Sequence, residues 1–348
     1  MKKFSLWCDF IENSFLDDDF LNLLSRGVNG ATSNPAIFKN AILNSPIYKE
    51  KIAKLKGKKA KEIYEELAIA DIQKAADKLA PLYHTGNDGF ISLEIDPRFY
   101  DNTSLSLGEA KKLYSAIGKD NVMIKVPATN ASYEVMYELM KNGISVNATL
   151  IFSLEQSQKC FEALNAGLIE FRKNNIALQG KNTHLRTPQA VISIFVSRFD
   201  RLLNSKAKEQ NRIGILNANL AYNNIISKNE PNIRALFAST GVKGDDLPNE
   251  PNIRALFAST GVKGDDLPKD YYIKELLFEN SINTAPLDAI NAFKTEIEFK
   301  KPLMNFEIYT QLNAIISQNE REKACDELLK DGLEQFCIAF EEILQALN

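Results

Sequence analysis

The sequence predicts a parallel α/β fold closed into a (β/α)8 barrel, and three observations lead to this prediction. Short apolar segments alternate with helical patterns along the 348 residues. Some of these segments, such as residues 190–196, are apolar at nearly every position, which is typical of strands buried on both faces of a parallel sheet. Eight strand–helix units in about 300 residues fit a closed barrel better than an open sheet. The absence of a G-x-G-x-x-G segment after the first strand also argues against a dinucleotide-binding fold.

The elements of this barrel are predicted by the same patterns. We predict strands at residues 4–9, 30–34, 90–96, 122–127, 145–152, 190–197 and 281–285, with one more strand in a duplicated segment. Helical periodicity predicts amphipathic helices at residues 17–26, 61–83, 107–117 and 154–174. A further helix at residues 320–347 comes after the eighth unit and is expected outside the barrel or over one of its mouths. We expect residues 1–348 to form a single domain.

The duplicated segment is unusual. Residues 229–248, NEPNIRALFASTGVKGDDLP, recur unchanged as residues 249–268. Two identical copies do not make a solenoid, so a recent tandem duplication or a cloning or sequencing artefact is the simpler explanation. The strand-like runs are residues 234–240 and 254–260. If the first run formed the strand, the second copy would crowd the C-terminal face, where barrel active sites lie, so we expect residues 254–260 to form strand seven.

Composition narrows the class of protein. Apolar residues make up 45% and charged residues 25%, which is the balance of a globular enzyme, and a net charge of −3 does not favour nucleic acid or an anionic membrane as partner. Neither a signal peptide nor an 18-residue apolar run is present, so we expect a cytoplasmic protein. The four cysteines are widely spaced and the only histidines are His84 and His184, so we expect neither a metal centre nor a disulfide framework.

One lysine stands inside a predicted apolar strand. Lys125 is flanked by Ile124 and Val126. Burial disfavours the ammonium form and frees the amine as a nucleophile toward a carbonyl group. The alternative is a strand-end lysine that reaches solvent or pairs with a carboxylate.

Two carboxylates occupy similar positions. Glu94 lies in the third predicted strand and Asp9 ends the first. Each is a candidate general acid or base, although each is also explained as an ion-pair partner or a helix cap. Because the C-terminal ends of barrel strands converge on one pocket, Asp9, Glu94 and Lys125 are expected to meet there.

Further polar residues alternate along the strands of this barrel. Asn147 and Thr149 lie on one side of the fifth strand, and Ser193, Phe195 and Ser197 alternate along the sixth. Polar residues at alternate positions of an apolar strand indicate a face that lines a site.

Two further features suggest contacts to an anion, and a third marks the turn at the end of a strand. Arg198, at the end of the sixth strand, is suited to bidentate phosphate binding, with a surface ion pair to Asp200 or another acid as the alternative. The turn after strand seven offers a lysine, either Lys243 or Lys263 depending on the copy. Asn34 comes directly before Pro35, and a proline disfavours the helical conformation in the residue before it. A proline is also favoured at the first position of a helix, so we expect a helix to begin after Asn34.

Four segments resemble those of the transaldolase family, in the family's order. They are GATSNPAIF at 30–38, VMIKVPAT at 122–129, VNATLIFS at 146–153 and ISIFVSRFD at 192–200. The resemblance extends from about residue 4 to residue 293 and is strongest to the longer bacterial members, some of which carry a fused glucose-6-phosphate isomerase domain. We expect no such domain within these 348 residues. The resemblance implies a TIM barrel of the class I aldolase type.

The resemblance also implies residue roles. Lys125 would form an imine with the ketose carbonyl, and Asp9 would be the acid/base for the hydroxyl at the cleaved bond. Glu94 would serve imine formation and hydrolysis through a water that Thr149 helps to hold. The implied substrate-binding residues are Asn34 and Asn147 for the dihydroxyacetone unit, Ser193 in the pocket wall, and Arg198 and Lys263 for phosphate.

The implied reaction belongs to the pentose phosphate pathway. A dihydroxyacetone unit would pass from sedoheptulose 7-phosphate to glyceraldehyde 3-phosphate, giving erythrose 4-phosphate and fructose 6-phosphate. No metal or organic cofactor is implied, because the imine is the electron sink, and we expect a monomer or a homodimer. The alternatives are a related lysine-dependent aldolase that cleaves without transfer, and a non-catalytic barrel that binds sugar phosphates.

Overall fold

A computed structural model describes residues 4–175, 187–228, 252–262, 266–294 and 298–348. The first copy of the duplicated segment lies outside the described residues, and so do His184, Lys243 and Lys263.

Eight parallel strands close into a barrel in chain order, so the predicted fold class is confirmed. The strands are β1 (Phe4–Cys8), β2 (Val28–Thr32), β3 (Ile91–Glu94), β4 (Val122–Pro127), β5 (Ser145–Ile151), β6 (Ala190–Phe195), β7 (Ile253–Ala258) and β8 (Ser281–Ala285). The predicted strand bounds are correct at β4 and β8. Elsewhere the predicted strands run one or two residues past the observed C-terminal ends, mainly because polar residues there begin turns or helices. Strands β2 and β7 also start two residues and one residue earlier than predicted, and β3 starts one residue later.

Helices surround the barrel. They are α1 (Asp19–Ser25), α2 (Pro35–Asn44), α3 (Pro46–Lys54), α4 (Ala60–His84), α5 (Thr103–Ile117), α6 (Ser132–Lys141), α7 (Leu154–Asn175), α8 (Ser197–Leu203), α9 (Ile213–Lys228), α10 (Tyr271–Glu275), α11 (Leu287–Ala292), α12 (Asn305–Ile315) and α13 (Gln318–Leu347). The five helices predicted from periodicity are α1, α4, α5, α7 and α13, each within a few residues of its expected bounds. Within the described part of the chain, none of the helices combines the length and the apolar character needed to cross a membrane.

The prediction for the end of strand six is wrong. β6 ends at Phe195, and Ser197 begins helix α8, so the alternation of Ser193 and Phe195 does not continue to Ser197. Arg198 is therefore a helical residue in the first turn of α8.

Strand β7 lies in the second copy of the duplicated segment, as the sequence favours. Its six residues pair in parallel with β6 from Ala190↔Ile253 to Phe195↔Ala258. On its other side, Leu256 and Phe257 pair with β8. The second copy therefore closes the barrel between β6 and β8.

Alternate residues of the strands face two different apolar clusters. Residues such as Ile124 and Ile192 pack against the surrounding helices, whereas Trp7, Met123 and Val191 belong to a second cluster. This alternation is what a sheet packed on both faces requires. It also places Lys125, two residues after Met123, on the same side as the second cluster.

A buried ion pair lies near the N-terminal ends of the barrel strands. Arg254 of β7 pairs with Asp88, which also accepts a hydrogen bond from Trp7 Nε1 at 3.0 Å. The Trp7 ring lies so close to Gly30 that a Cβ at Gly30 would come within 2.4 Å of Nε1. The glycine that opens GATSNPAIF is thus needed for the packing of the tryptophan.

Removing one copy of the duplicated segment should not harm the protein. Deleting residues 229–248 joins Lys228 to Asn249, and deleting residues 249–268 gives the same polypeptide. All the residues of β7 and its turn are retained, and a shorter loop costs less entropy, by roughly 0.6 kcal/mol per halving of its length. We expect a melting temperature and an enzymatic activity equal to or above those of the full chain. A large loss of either would show that the extra copy is part of the working fold.

Candidate active site

Three polar residues are aligned across the centre of the sheet. The strand register places Glu94 beside Lys125, and Lys125 beside Asn147. Lys125 is only 5% exposed. Its Nζ donates to the carbonyl of Ser33 at 3.1 Å and lies 3.5 Å from Glu94 Oε2. The lysine therefore does not extend to solvent, and it has a buried carboxylate as its partner.

The pKa of Glu94 is raised above the ordinary value of a glutamate. Burial raises the pKa of Glu94 from 4.5 to about 7, and the nearby Lys125 ammonium opposes part of that rise. Both carboxylate oxygens, and the hydroxyl of Thr149, are buried without a hydrogen-bond partner among the described residues. These groups keep hydrogen-bonding capacity that substrate or water can use. A carboxyl group with a pKa near neutrality is suited to both giving and accepting a proton.

The fifth strand supplies an amide and a hydroxyl. Asn147 donates from Nδ2 to Ser92 Oγ at 3.0 Å and accepts at Oδ1 from Ser193 Oγ at 2.6 Å. These two bonds fix the orientation of its amide and leave one N–H for a ligand. Asn147 and Thr149, which the alternation of the strand places on one side, both line the same cavity.

Asp9 comes directly after β1 and is held by Thr32, which is itself bonded to Thr284. Thr32 Oγ1 donates to Asp9 Oδ1 at 2.7 Å and lies 2.7 Å from Thr284 Oγ1. Because a hydroxyl has one proton, Thr284 is the donor in the second bond. Asp9 therefore has one oxygen anchored, and its carboxylate borders the cavity.

Asn34 caps the helix that begins after it. Its backbone is extended, and its Oδ1 accepts from the backbone N–H of Ile37 at 3.0 Å, with Pro35 as the first residue of α2. The expectation of a helix start after Asn34 is confirmed. The cap fixes the amide at the cavity wall.

Arg198 does not pair with Asp200. Asp200 instead accepts from Gly214 N at 3.0 Å and from Tyr272 Oη at 2.8 Å. The Arg198 guanidinium carbon lies 5.0 Å from the centre of the Phe195 ring, and its Nη1 is 4.0 Å from Asp331 Oδ2. Burial, aided by a neighbouring arginine, lowers the pKa of Arg198 below its ordinary value. A largely buried guanidinium with one distant carboxylate is suited to holding an anion.

These side chains border one cavity of about 180 Å³ at the C-terminal mouth of the barrel. It is lined by Asp9, Thr32, Asn34, Ala36, Lys125, Asn147, Thr149, Ser193, Phe195, Arg198, Ala258, Ser259, Thr284, Gln335 and Phe336. Among the site residues expected from the sequence, Glu94 does not line the cavity but contacts Lys125 at 3.5 Å, and Lys263 lies outside the described residues. Thr32, Ser259 and Thr284 were not identified from the sequence, because hydroxyl residues at strand ends are too common to stand out.

Helix α13 covers this mouth. Its Phe336 ring lies 5.8 Å from Lys125 Nζ, and Gln335 borders the same cavity. This resolves the choice left open from the sequence between the outside of the barrel and one of its mouths. An amphipathic pattern shows that Phe336 is buried, but it does not show which surface buries it.

The described residues contain no cluster of three or more histidine, cysteine, aspartate or glutamate side chains able to hold a metal. His84 lies at the end of α4, where its Nδ1 is 2.6 Å from the carbonyl of Ala80. The polar groups at the mouth are thus an amine, carboxyl groups, amides, hydroxyls and a guanidinium.

The family model for transaldolase and fructose-6-phosphate aldolase matches residues 6–347. The chain belongs to this family. It is 81% identical to a transaldolase of Campylobacter jejuni (strain 81-176) over 347 residues, with 100% of both chains covered. It is 44% identical to a transaldolase of Helicobacter pylori (strain Shi470), with 99% of this chain and 100% of the relative covered. The family expected from the four sequence segments is therefore confirmed.

The raised pKa of Glu94 predicts how stability depends on pH. Between pH 4.5 and about 7 the folded state holds a proton that the unfolded state has lost, so stability falls as pH rises through this window. The variant Glu94→Gln cannot titrate at this position, so its stability lacks this contribution to the pH dependence. We expect the free energy of unfolding of the parent, measured relative to the variant in urea, to fall between about pH 4.5 and pH 7 and to level off above this range.

The control for this measurement is Glu50→Gln, which changes an exposed glutamate. It should show the same pH dependence as the parent chain. Parallel curves for the parent and Glu94→Gln would contradict the assignment of a raised pKa to Glu94.

Proposed function

We propose that this protein transfers a dihydroxyacetone unit from sedoheptulose 7-phosphate to glyceraldehyde 3-phosphate through an imine on Lys125. The observation that carries the proposal is the buried Lys125 amine, which belongs to a residue of the cavity wall and lies 3.5 Å from the Glu94 carboxyl, in a member of this family. The products are erythrose 4-phosphate and fructose 6-phosphate, which makes the reaction a step of the pentose phosphate pathway.

Imine formation uses Lys125 and Glu94. The Lys125 amine attacks the ketone carbon of the donor sugar, and the resulting carbinolamine loses its hydroxyl as water. Glu94 gives the proton that the departing hydroxyl needs and takes one back in hydrolysis. Its pKa near 7 supports both roles at neutral pH. A water held between Glu94 and the unpaired hydroxyl of Thr149 carries the proton across the remaining distance.

Cleavage of the carbon–carbon bond uses Asp9. Its carboxylate takes the proton of the hydroxyl next to the bond, the bond's electron pair moves toward the imine nitrogen, and an aldose phosphate leaves. The enamine that remains attacks the aldehyde carbon of the acceptor, whose oxygen receives the proton back from Asp9. Water then releases the new ketose from Lys125. The bond from Thr32 keeps Asp9 in place through these steps.

Binding uses the other residues of the cavity wall. We assign Asn34 and Asn147 to the hydroxyls of the dihydroxyacetone unit, with Ser193 orienting Asn147. Arg198 binds the phosphate of the substrate, because its guanidinium is largely buried and its closest carboxylate oxygen is 4.0 Å away. From the sequence, Lys263 in the turn after β7 is a second phosphate contact.

The family description also names fructose-6-phosphate aldolase, so cleavage without transfer is the second candidate. The two reactions share the imine and differ in the fate of the enamine. In a transaldolase the enamine waits for an aldehyde acceptor, whereas in an aldolase it is protonated and hydrolysed.

Trapping tests the imine directly. The protein is incubated with fructose 6-phosphate and reduced with borohydride, and its peptides are analysed by mass spectrometry. We expect a three-carbon adduct on the peptide that contains Lys125. Lys125→Met should fold, because methionine suits a buried apolar site, and should carry no adduct. An adduct on another lysine, or none on the parent protein, would overturn the mechanism.

An acceptor separates transfer from simple cleavage. With erythrose 4-phosphate present, sedoheptulose 7-phosphate should accumulate and the trapped adduct should decrease. Free dihydroxyacetone as the main product, with or without acceptor, would identify an aldolase instead.

Replacing Asp9 tests the cleavage step. Asp9→Asn keeps the hydrogen bond from Thr32 but removes the base, so turnover should fall roughly 10²- to 10⁴-fold. Imine formation should survive, and borohydride should trap the intact six-carbon sugar phosphate on Lys125. A three-carbon adduct formed at the parent rate would show that another group accepts the proton.

A further inference from the structure

Helix α13 approaches the proposed phosphate-binding arginine at a glycine. A Cβ built on Gly332 would lie 2.9 Å from Leu150 Cδ2 and 3.3 Å from Arg198 Nη1. Both distances are shorter than ordinary van der Waals contacts of a Cβ, so an added methyl group must displace one or both side chains. The contacted atoms are ends of flexible side chains rather than backbone, which allows them to move.

A glycine in the interior of a helix is unfavourable relative to alanine, so a glycine there calls for a steric reason. Gly108 in helix α5 provides a comparison, because a Cβ there meets nothing within 4 Å. Gly332, in contrast, is buried in the middle of the 30-residue helix α13, against the wall of the cavity mouth. The close approach to Arg198 and Leu150 is a steric reason for glycine at this position.

The guanidinium of Arg198 is confined by its surroundings. Its Cζ lies 5.0 Å from the centre of the Phe195 ring, and its Nη1 faces Gly332. The carboxylate of Asp331 is 4.0 Å away, beyond hydrogen-bond distance. Nη1 is buried and has no hydrogen-bond partner among the residues the structure describes. The side chain therefore borders the cavity with donor capacity that no described protein group uses.

We propose that Gly332 is a positioning residue, which sets the preference for phosphorylated sugars by leaving room for the Arg198 guanidinium. The inference rests on the proposed function, in which Arg198 binds the substrate phosphate. A guanidinium binds phosphate strongly only when two of its N–H groups face the oxygens together, and a small displacement loses this geometry. The three heavy atoms nearest to a Cβ at Gly332 belong to Leu150 and Arg198 rather than to Lys125, so imine chemistry itself should be unaffected.

The variant Gly332→Ala tests this inference with two substrates. With fructose 6-phosphate as donor and erythrose 4-phosphate as acceptor, we expect KM for the donor to rise roughly tenfold to hundredfold, the value of a charge-assisted hydrogen bond. The kcat should stay within about threefold, because the loss is in binding. Borohydride trapping of unphosphorylated dihydroxyacetone on Lys125 should match the parent protein.

Two controls accompany the variant. Gly108→Ala makes the same change in another helix where nothing is crowded, and it should leave both readouts as they are. The double variant Leu150→Ala, Gly332→Ala removes the tighter contact and keeps the one with Arg198. We expect KM of the double variant to exceed that of Leu150→Ala by the same factor by which Gly332→Ala exceeds the parent. Because the contact with Leu150 is absent from this pair, the comparison still tests the inference if Gly332→Ala folds poorly.

The outcomes are distinct. An unchanged KM for fructose 6-phosphate overturns the inference, because it shows that Gly332 does not affect phosphate binding by Arg198. An equal loss of trapping with dihydroxyacetone and with fructose 6-phosphate also overturns it, because it shows a general distortion of the site. If the parent protein itself gives no adduct on Lys125 with either compound, the proposed function fails and the inference with it. Normal parent activity with no selective change in Gly332→Ala overturns the inference alone.

Discussion

Moving a lysine and a glutamate out of water costs several kcal/mol per ion unless the two groups face each other. Lys125 and Glu94 meet this condition because β3 and β4 pair in the register that puts them side by side. A slip of one residue would turn Lys125 toward the helices and leave both charges unpaired. The same register brings Asn147 to the other side of Lys125. The site thus depends on strand pairing, which is determined by the apolar residues above and below it.

Much of this could be predicted from the sequence, because a polar residue within an apolar strand contrasts with its neighbours. Lys125, Glu94 and Asn147 stand out in this way, and period-two alternation assigns Asn147 and Thr149 to one face. Thr32 and Thr284 do not, since threonine is common in strands for steric reasons alone. The position of α13 over the mouth of the barrel depends on contacts between residues far apart in the sequence. Helical periodicity shows which face of α13 is buried but not what buries it.

Backbone strain at the mouth is a second feature hidden from sequence patterns. Leu150 comes directly after Thr149 and has a φ of 55°, which costs a non-glycine residue about 1 kcal/mol or more. Pairing with β6 is irregular at this point. The side chain of Gln156 holds the segment, donating to Leu150 O at 3.2 Å and accepting from Phe152 N at 2.9 Å. Nothing in the leucine itself indicates this conformation, since the surrounding contacts impose it.

The duplicated segment shows the limit of local reasoning. Its two copies have identical side chains, so contacts such as the Arg254–Asp88 pair do not distinguish Arg254 from Arg234. The difference between them lies in the connections. With the second copy as β7, the link to β8 runs from Ser259 to Asn280, and its first residue borders the cavity. With the first copy, that link would be 20 residues longer at the same mouth of the barrel. Because loop length alone costs little, crowding at the site is the constraint that separates the two arrangements.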